Sequence, residues 1–277
     1  MKNNLRIRIF RNQIIFTYFS SGFCSGKDLK GIDSEFIQYD EELKESNLTD
    51  SQKKSLYQKQ SMRRTKDKII CYANCNEWDY FLTLTFNPDK VDSYNYDLCV
   101  NKISNWLKYQ KKSHSPNLRY LCVPELHKTG RWHFHLLVSN FNGKMTDSGK
   151  KDKKTGNKIY NLDKYSYGFT TAVKITDSPA VGYYLSKYIT KEMMTVSENR
   201  KRYWVSYNLN TPTEYRALES GGIDEIITKI NKCSKSGKIG HLKTVYRKYD
   251  DSIINYITVN ASDIDLSTFN ITQMVYN

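Results

Sequence analysis

The chain reads as an α+β protein, with an antiparallel β-sheet of about five strands and helices packed on its apolar face. Three observations predict this. Trp132 to Val138 alternates between two faces at the strand period, Phe81 to Phe86 is a short run of strand formers, and two other stretches carry helical spacing.

In chain order, residues 1–20 alternate like a strand. Met1 to Phe19 superficially resembles a secretory signal, but Arg6, Arg8 and Arg11 break its apolar run. Residues 21–50 form a polar connection holding Glu35, Glu41, Glu42 and Glu45. Within it, Gly22-Phe-Cys-Ser-Gly26-Lys27-Asp28 is one residue too short for a phosphate-binding loop and ends in Asp where Ser or Thr would ligate magnesium, so no nucleotide-driven motor is expected. Residues 51–70 are helix-compatible and carry seven Lys or Arg against the single acid Asp67. That face either tracks a nucleic-acid backbone or is an ordinary solvated surface.

After the strand Phe81 to Phe86, residues 121–138 form a β-hairpin. Lys128-Thr129-Gly130 suits a three-residue loop closed by glycine in the left-handed conformation, pairing Leu121 to His127 with the following strand. Side chains alternate, so His133 and His135 share one face while Trp132, Phe134, Leu136 and Val138 share the other. In this register Glu125 lies opposite His133; a loop one residue shorter or longer would turn Glu125 to the other face. Pro124 removes a strand N–H and implies an edge or a non-hydrogen-bonded pair. Five histidines in 277 residues give only about 0.1 His-x-His pairs by chance, so the pairing is unusual for this composition. Two neutral imidazoles and a carboxylate make an open site suited to Mg²⁺ or Mn²⁺ with phosphate oxygens, and no nearby cysteine completes a closed zinc site. A histidine pair on a solvated strand face is the bland alternative.

Gly143 to Lys164 holds seven lysines with glycines and aspartates, and reads as a mobile loop able to close over DNA or to serve no specific role. Ser178 as N-cap and Pro179 at the first helical position then open a helix. Tyr184, Lys187, Tyr188 and Lys191 follow at i, i+3, i+4 and i+7 on one face, beside a docking stripe of Val181, Leu185, Ile189 and Met193. The two hydroxyl-bearing side chains start roughly 6 Å apart along the axis, within reach of one phosphate. Twenty-two tyrosines make about 1.7 Tyr-x-x-x-Tyr pairs expected by chance, and Tyr203 with Tyr207 is another such pair. It lies in a strand-forming run without an interleaved lysine, so the sequence assigns it to strand packing. Composition changes after Pro212, with Gly221-Gly222, a Lys-rich region ending near Lys248, and residues 251–277 without Lys or Arg.

A formal net charge of +14, from 43 Lys and Arg against 29 Asp and Glu, calls for a polyanionic partner, most economically nucleic acid. No stretch approaches the roughly 20 apolar residues that span a bilayer, so no membrane partner is expected. Cysteines at 24, 71, 75, 99, 122 and 233 lack paired Cys-x-x-Cys spacing and read as reduced thiols in a cytosol.

Taken together, the strand Phe81 to Phe86, the His-hydrophobic-His strand with Glu125 ahead of it, and the double-tyrosine helix Tyr184 to Lys191 occur in the order found in rolling-circle replication initiators of small phages and plasmids. Over roughly residues 61–212 the chain resembles these members of the HUH endonuclease superfamily. Arg63 to Lys66, Tyr167-Gly168-Phe169 and Tyr203 to Ser206 add secondary signatures. The resemblance implies a palm-like sheet related to RNA-recognition folds, with residues 1–60 as an N-terminal extension and 213–277 as a C-terminal accessory segment. It implies metal ligation by His133, His135 and Glu125, nucleophilic Tyr184 and Tyr188 assisted by Lys187 and Lys191, and a 5′-phosphotyrosine intermediate formed without ATP. Single-stranded origin DNA, a host helicase and a DNA polymerase are the implied partners, in the cytoplasm of a bacterial host. A relaxase, a single-strand transposase, a hydrolytic nuclease and a non-catalytic nucleic-acid-binding module are the rival readings.

Overall fold

The structure, a computed structural model, describes residues 2–24, 49–176, 182, 184–188, 200–237, 239–247 and 251–269. It is α+β, with two antiparallel sheets belonging to two compact units: Met1–Lys53 with Thr211–Asn277, and Lys54–Asn210. Residues read in sequence as an N-terminal extension and a C-terminal accessory segment both contribute strands to the first sheet.

In that first unit, β1 (Lys2–Ile9) and β2 (Gln13–Cys24) form a hairpin. With β10 (Thr213–Ala217), β11 (His241–Arg247) and β12 (Ser252–Asn260) they make a sheet of order β10-β1-β2-β12-β11. Alternation sends Leu5, Ile7, Ile14 and Phe16 to one face, where they pack with Ile257, Val259 and the buried Ile226 and Ile230 of α3 (Gly222–Cys233). The arginines that interrupt the apolar run lie on the other face, Arg6 against the Phe19 ring and Arg8 against Phe10. The connection with Glu35, Glu41, Glu42 and Glu45 lies outside the described residues.

The second unit is built on a sheet of order β6-β7-β8-β3-β5-β4-β9. Its centre is β3 (Tyr80–Thr85), β4 (Arg119–Leu126) and β5 (Trp132–Ser139), where three strands were legible in the sequence. Leu82, Leu84, Trp132, Phe134 and Leu136 are buried on the face covered by α2 (Tyr96–Ser113), which contributes Ile103, Trp106 and Leu107. Asn95 caps α2 by accepting from the Leu98 N–H. Helix α1 (Asp50–Cys75) confirms the helix-compatible run and extends it to bury Ile69 and Ala73 in the same core.

Gly143 to Lys164 is not a mobile loop. It folds as a hairpin, β6 (Met145–Lys151) and β7 (Lys158–Leu162), and β7 pairs with β8 (Thr170–Lys174). Two features hidden in its polar composition explain this. The side chain of Asp152 and the left-handed Gly156 close the turn, and Leu162 and Met145 pack in or against the core. Among the described residues no helix is long and apolar enough to cross a membrane.

Candidate active site

The hairpin register holds. His127 N–H donates to the Arg131 carbonyl, Gly130 has φ +83°, and Glu125 is the direct partner of His133. Pro124 lies past β9 (Trp204–Val205), which pairs only with Leu121 and Cys122, so the missing N–H falls where β4 is an edge.

Strand β3 completes the site in a way the sequence reading did not use. Thr83 pairs with His135 and Thr85 with His133, and each hydroxyl lies 3.2 Å from the Nδ1 of its histidine. Both rings are thereby oriented with Nε2 turned away from β3, the atom an ion would take. Glu125 Oε2 lies 2.8 Å from His135 Nε2, so the carboxylate reaches diagonally rather than to its direct partner. His135 is only 4% exposed. The alternating Thr-x-Thr of Phe81 to Phe86 was the available sequence signal, readable only once the strands were in register.

Burial is the largest influence on the His133 imidazole; with the charges of His127, His135 and Arg131 it holds the group below the ordinary histidine value, against the opposing pull of Glu125. A neutral imidazole is the ligating form. For Glu125, burial pushes upward, but the His135 hydrogen bond and the charges of His135, His133 and His127 win and keep the carboxylate below its usual range. Among the described residues no three His, Cys, Asp or Glu side chains are already spaced to hold a metal. The donor types and ring orientation fit a hard divalent ion, while Glu125 and His135 are bonded to each other across the position it would take.

The tyrosines meet this face. The Tyr188 ring stacks on His135 with centroids 3.6 Å apart and planes 12° from parallel, and Tyr184 packs edge-on to Phe81 of β3. The Tyr188 hydroxyl donates to the Tyr184 hydroxyl at 2.9 Å. Leu185 is fully buried, and the segment tightens at Lys187 and Tyr188 into i→i+3 bonds to Tyr184 and Leu185. Gly182 is required by close approach to α1, since a Cβ there would meet the Ala73 Cβ at 2.7 Å. Burial above all, then the bond to Tyr184, then the charges of Tyr184 and Glu125 raise the Tyr188 phenol above its ordinary value. Lys187 is exposed, its ammonium 5.9 Å from the Tyr184 ring centre. Ser178, Pro179, Val181, Ile189, Lys191 and Met193 lie outside the described residues.

Residues 79–193 match the family model of the replication-associated protein ORF2. That span is less than half of the chain, yet it contains β3, the histidine hairpin and the tyrosine pair. The similarity to replication-associated proteins thus coincides with the residues that converge here and leaves out the whole first unit. Comparison with curated proteins and with solved structures returned no match.

The second tyrosine pair behaves differently. Tyr203 is half-buried, 6.2 Å from the Tyr72 ring, whereas Tyr207 is 89% exposed with Lys111 over it, so strand packing describes Tyr203 and not Tyr207. The two-residue β9 ends at Val205, leaving Tyr207 beyond the sheet. Tyr167-Gly168-Phe169 continues the pairing past the end of β3: Thr85 and Phe169 exchange both backbone hydrogen bonds, and a Cβ on Gly168 would lie 2.3 Å from the Thr85 carbonyl oxygen.

Proposed function

We propose that this protein initiates rolling-circle DNA replication by nicking and rejoining single-stranded origin DNA through a tyrosine. The observation that carries the reading is the stacking of Tyr188 on His135, which brings two hydrogen-bonded phenols to the face holding His133, His135 and Glu125. The similarity to replication-associated proteins supports the replication role, and the net charge of +14 suits a polyanionic substrate.

His133, His135 and Glu125 would hold Mg²⁺ or Mn²⁺, which when bound supplies Lewis-acid polarisation of a phosphate's non-bridging oxygens. The chain's own residues do the rest. Thr83 and Thr85 fix the imidazoles; one tyrosine attacks phosphorus in line; the P–O3′ bond breaks as the tyrosine–phosphorus bond forms. The phenol proton passes to solvent, the departing 3′ oxygen takes one up, and the resulting 3′-hydroxyl serves a polymerase. The 5′-phosphotyrosine conserves the bond energy, so the second tyrosine can cut again while the freed strand is rejoined without ATP. A host helicase would open the duplex, and Lys187 with Lys191 would neutralise the phosphate. A relaxase shares this chemistry, but two phenols within hydrogen-bond reach favour an initiator that must cleave twice.

The test is a denaturing gel of the protein with a 3′-labelled random-sequence single-stranded oligonucleotide library and Mn²⁺. A labelled covalent adduct is expected from the wild type and none from the Tyr184→Phe/Tyr188→Phe double variant. His133→Ala and His135→Ala should lose the adduct yet retain salt-sensitive DNA binding, because backbone charge contacts carry most of the affinity. Adducts persisting in the double-tyrosine variant would overturn the nucleophile assignment.

A further inference from the structure

Lys154 is a lysine outside the motifs that carry the proposed chemistry. It lies at the tip of the β6–β7 hairpin, distant in sequence from Tyr184, with its ammonium 4.8 Å from the centre of the Tyr184 ring. Lys187 approaches the same ring, so two cations flank one phenol.

The tip is a built turn. Asp152 Oδ2 accepts from the backbone N–H groups of Lys154 and Thr155 and from the Thr155 hydroxyl. Gly156 N–H donates to the Asp152 carbonyl with Gly156 at φ +72°, and Asn157 Nδ2 bonds the Lys174 carbonyl at the end of β8. Other hairpin-region lysines have carboxylate partners: Lys158 pairs with Asp147 and Lys144 with Asp163. Lys154 is aimed at the tyrosine instead. The environment of the pair is also unequal: Tyr188 donates its hydroxyl hydrogen to Tyr184 and stacks on His135, while Tyr184 accepts that bond and faces both ammoniums. A phenolate is stabilised by donors and cations, and these converge on Tyr184.

Building on the nicking reaction, we propose that Lys154 is a positioning residue that makes Tyr184 the first attacking tyrosine. Its ammonium stabilises the Tyr184 oxygen as it loses its proton to solvent and bonds phosphorus, with the 3′ oxygen leaving and taking up a proton. Tyr188, protonated and donating, is held for the second cleavage.

The experiment follows single-turnover adduct formation with the same 3′-labelled library and Mn²⁺, mapping the linked tyrosine by peptide analysis. Wild-type adducts should form first on Tyr184. In a Tyr188→Phe background Lys154→Gln should slow the Tyr184 adduct by roughly tenfold, the effect of about one unit in phenol acidity. In a Tyr184→Phe background the same substitution should leave the Tyr188 adduct rate nearly unchanged. Lys154→Arg should restore most of the Tyr184 rate, and Lys151→Gln, which removes the same charge elsewhere on the hairpin, should not alter it. An unchanged Tyr184 rate in Lys154→Gln, or equal slowing in both backgrounds, overturns the proposal. A wild-type protein that forms no adduct overturns the nicking reading and this assignment with it, whereas adducts indifferent to Lys154 overturn this assignment alone.

Discussion

Thr83 and Thr85 are the residues on which the orientation of the candidate ligands depends, because each hydroxyl engages one imidazole Nδ1 and leaves Nε2 for an ion. Replacing either by valine preserves shape and removes the bond. Loss of such an outer partner typically costs roughly 10- to 100-fold in metal affinity. Mn²⁺ titration of Thr83→Val should therefore show that weakening, and an unchanged affinity would mean the threonines do not orient the rings. A second residue-scale expectation concerns alkaline stability. Burial pushes the Cys99 thiol from 9.0 up to about 12, and burial likewise raises Cys122, Tyr96 and Tyr165. A raised folded-state value means the native protein keeps protons that the unfolded chain has lost, so stability is full below pH 9.0 and falls as pH rises toward 12. The slope is about 1.4 kcal/mol per pH unit for each group in its window. Denaturant midpoints measured at increasing pH should decline, and Cys99→Ala should flatten part of that decline.

At the scale of elements, β3 is the organising strand. It pairs with β5 to place the threonines, presents Phe81 to Tyr184, and at its far end exchanges hydrogen bonds with Phe169 across Gly168. The clash facing a Cβ on Gly168 is with backbone rather than with a flexible side-chain end, so the strand end itself must move. Gly168→Ala should destabilise by roughly 1–3 kcal/mol, the usual range for overpacking. A shift in denaturant midpoint reads it directly; Gly143, where the clash is with the Phe141 ring and the Gln110 side chain, should tolerate alanine better if side chains yield more readily than backbone. An undisturbed midpoint in Gly168→Ala would mean the β3 end is looser than its paired hydrogen bonds imply.

For the whole molecule, two separate cores and one charge excess are the governing facts. The first unit has its own cluster around Phe16 and Ile230, and the second has one around Trp132 and Phe134. The net charge of +14 predicts salt-dependent DNA binding whatever the fate of the chemistry. A footprint of about six phosphates on a single strand gives a slope of about −4 in log affinity against log salt. Filter binding across a salt series should find a steep slope shared by the wild type and His135→Ala, and a flat one would contradict charge-driven binding.

Local pattern by itself determined the α+β class, the histidine hairpin with its three-residue loop, the face shared by His133, His135 and Glu125, and the spacing that brings Tyr184 and Tyr188 to one another. Periodicity and turn chemistry are local, and they act over a few residues in ways composition cannot hide. Tertiary structure decided what depends on partners far apart in the chain. Thr83 and Thr85 became orienting residues only through the β3–β5 register, and Lys154 met Tyr184 only because a lysine-rich stretch folds into a hairpin whose closure rests on Asp152 and Gly156. The first sheet joins strands from both ends of the chain, and Tyr207 stands out in solvent because β9 stops at Val205. Strand order and long-range side-chain meetings are set by the burial of the whole apolar set at once, which no single window of sequence contains.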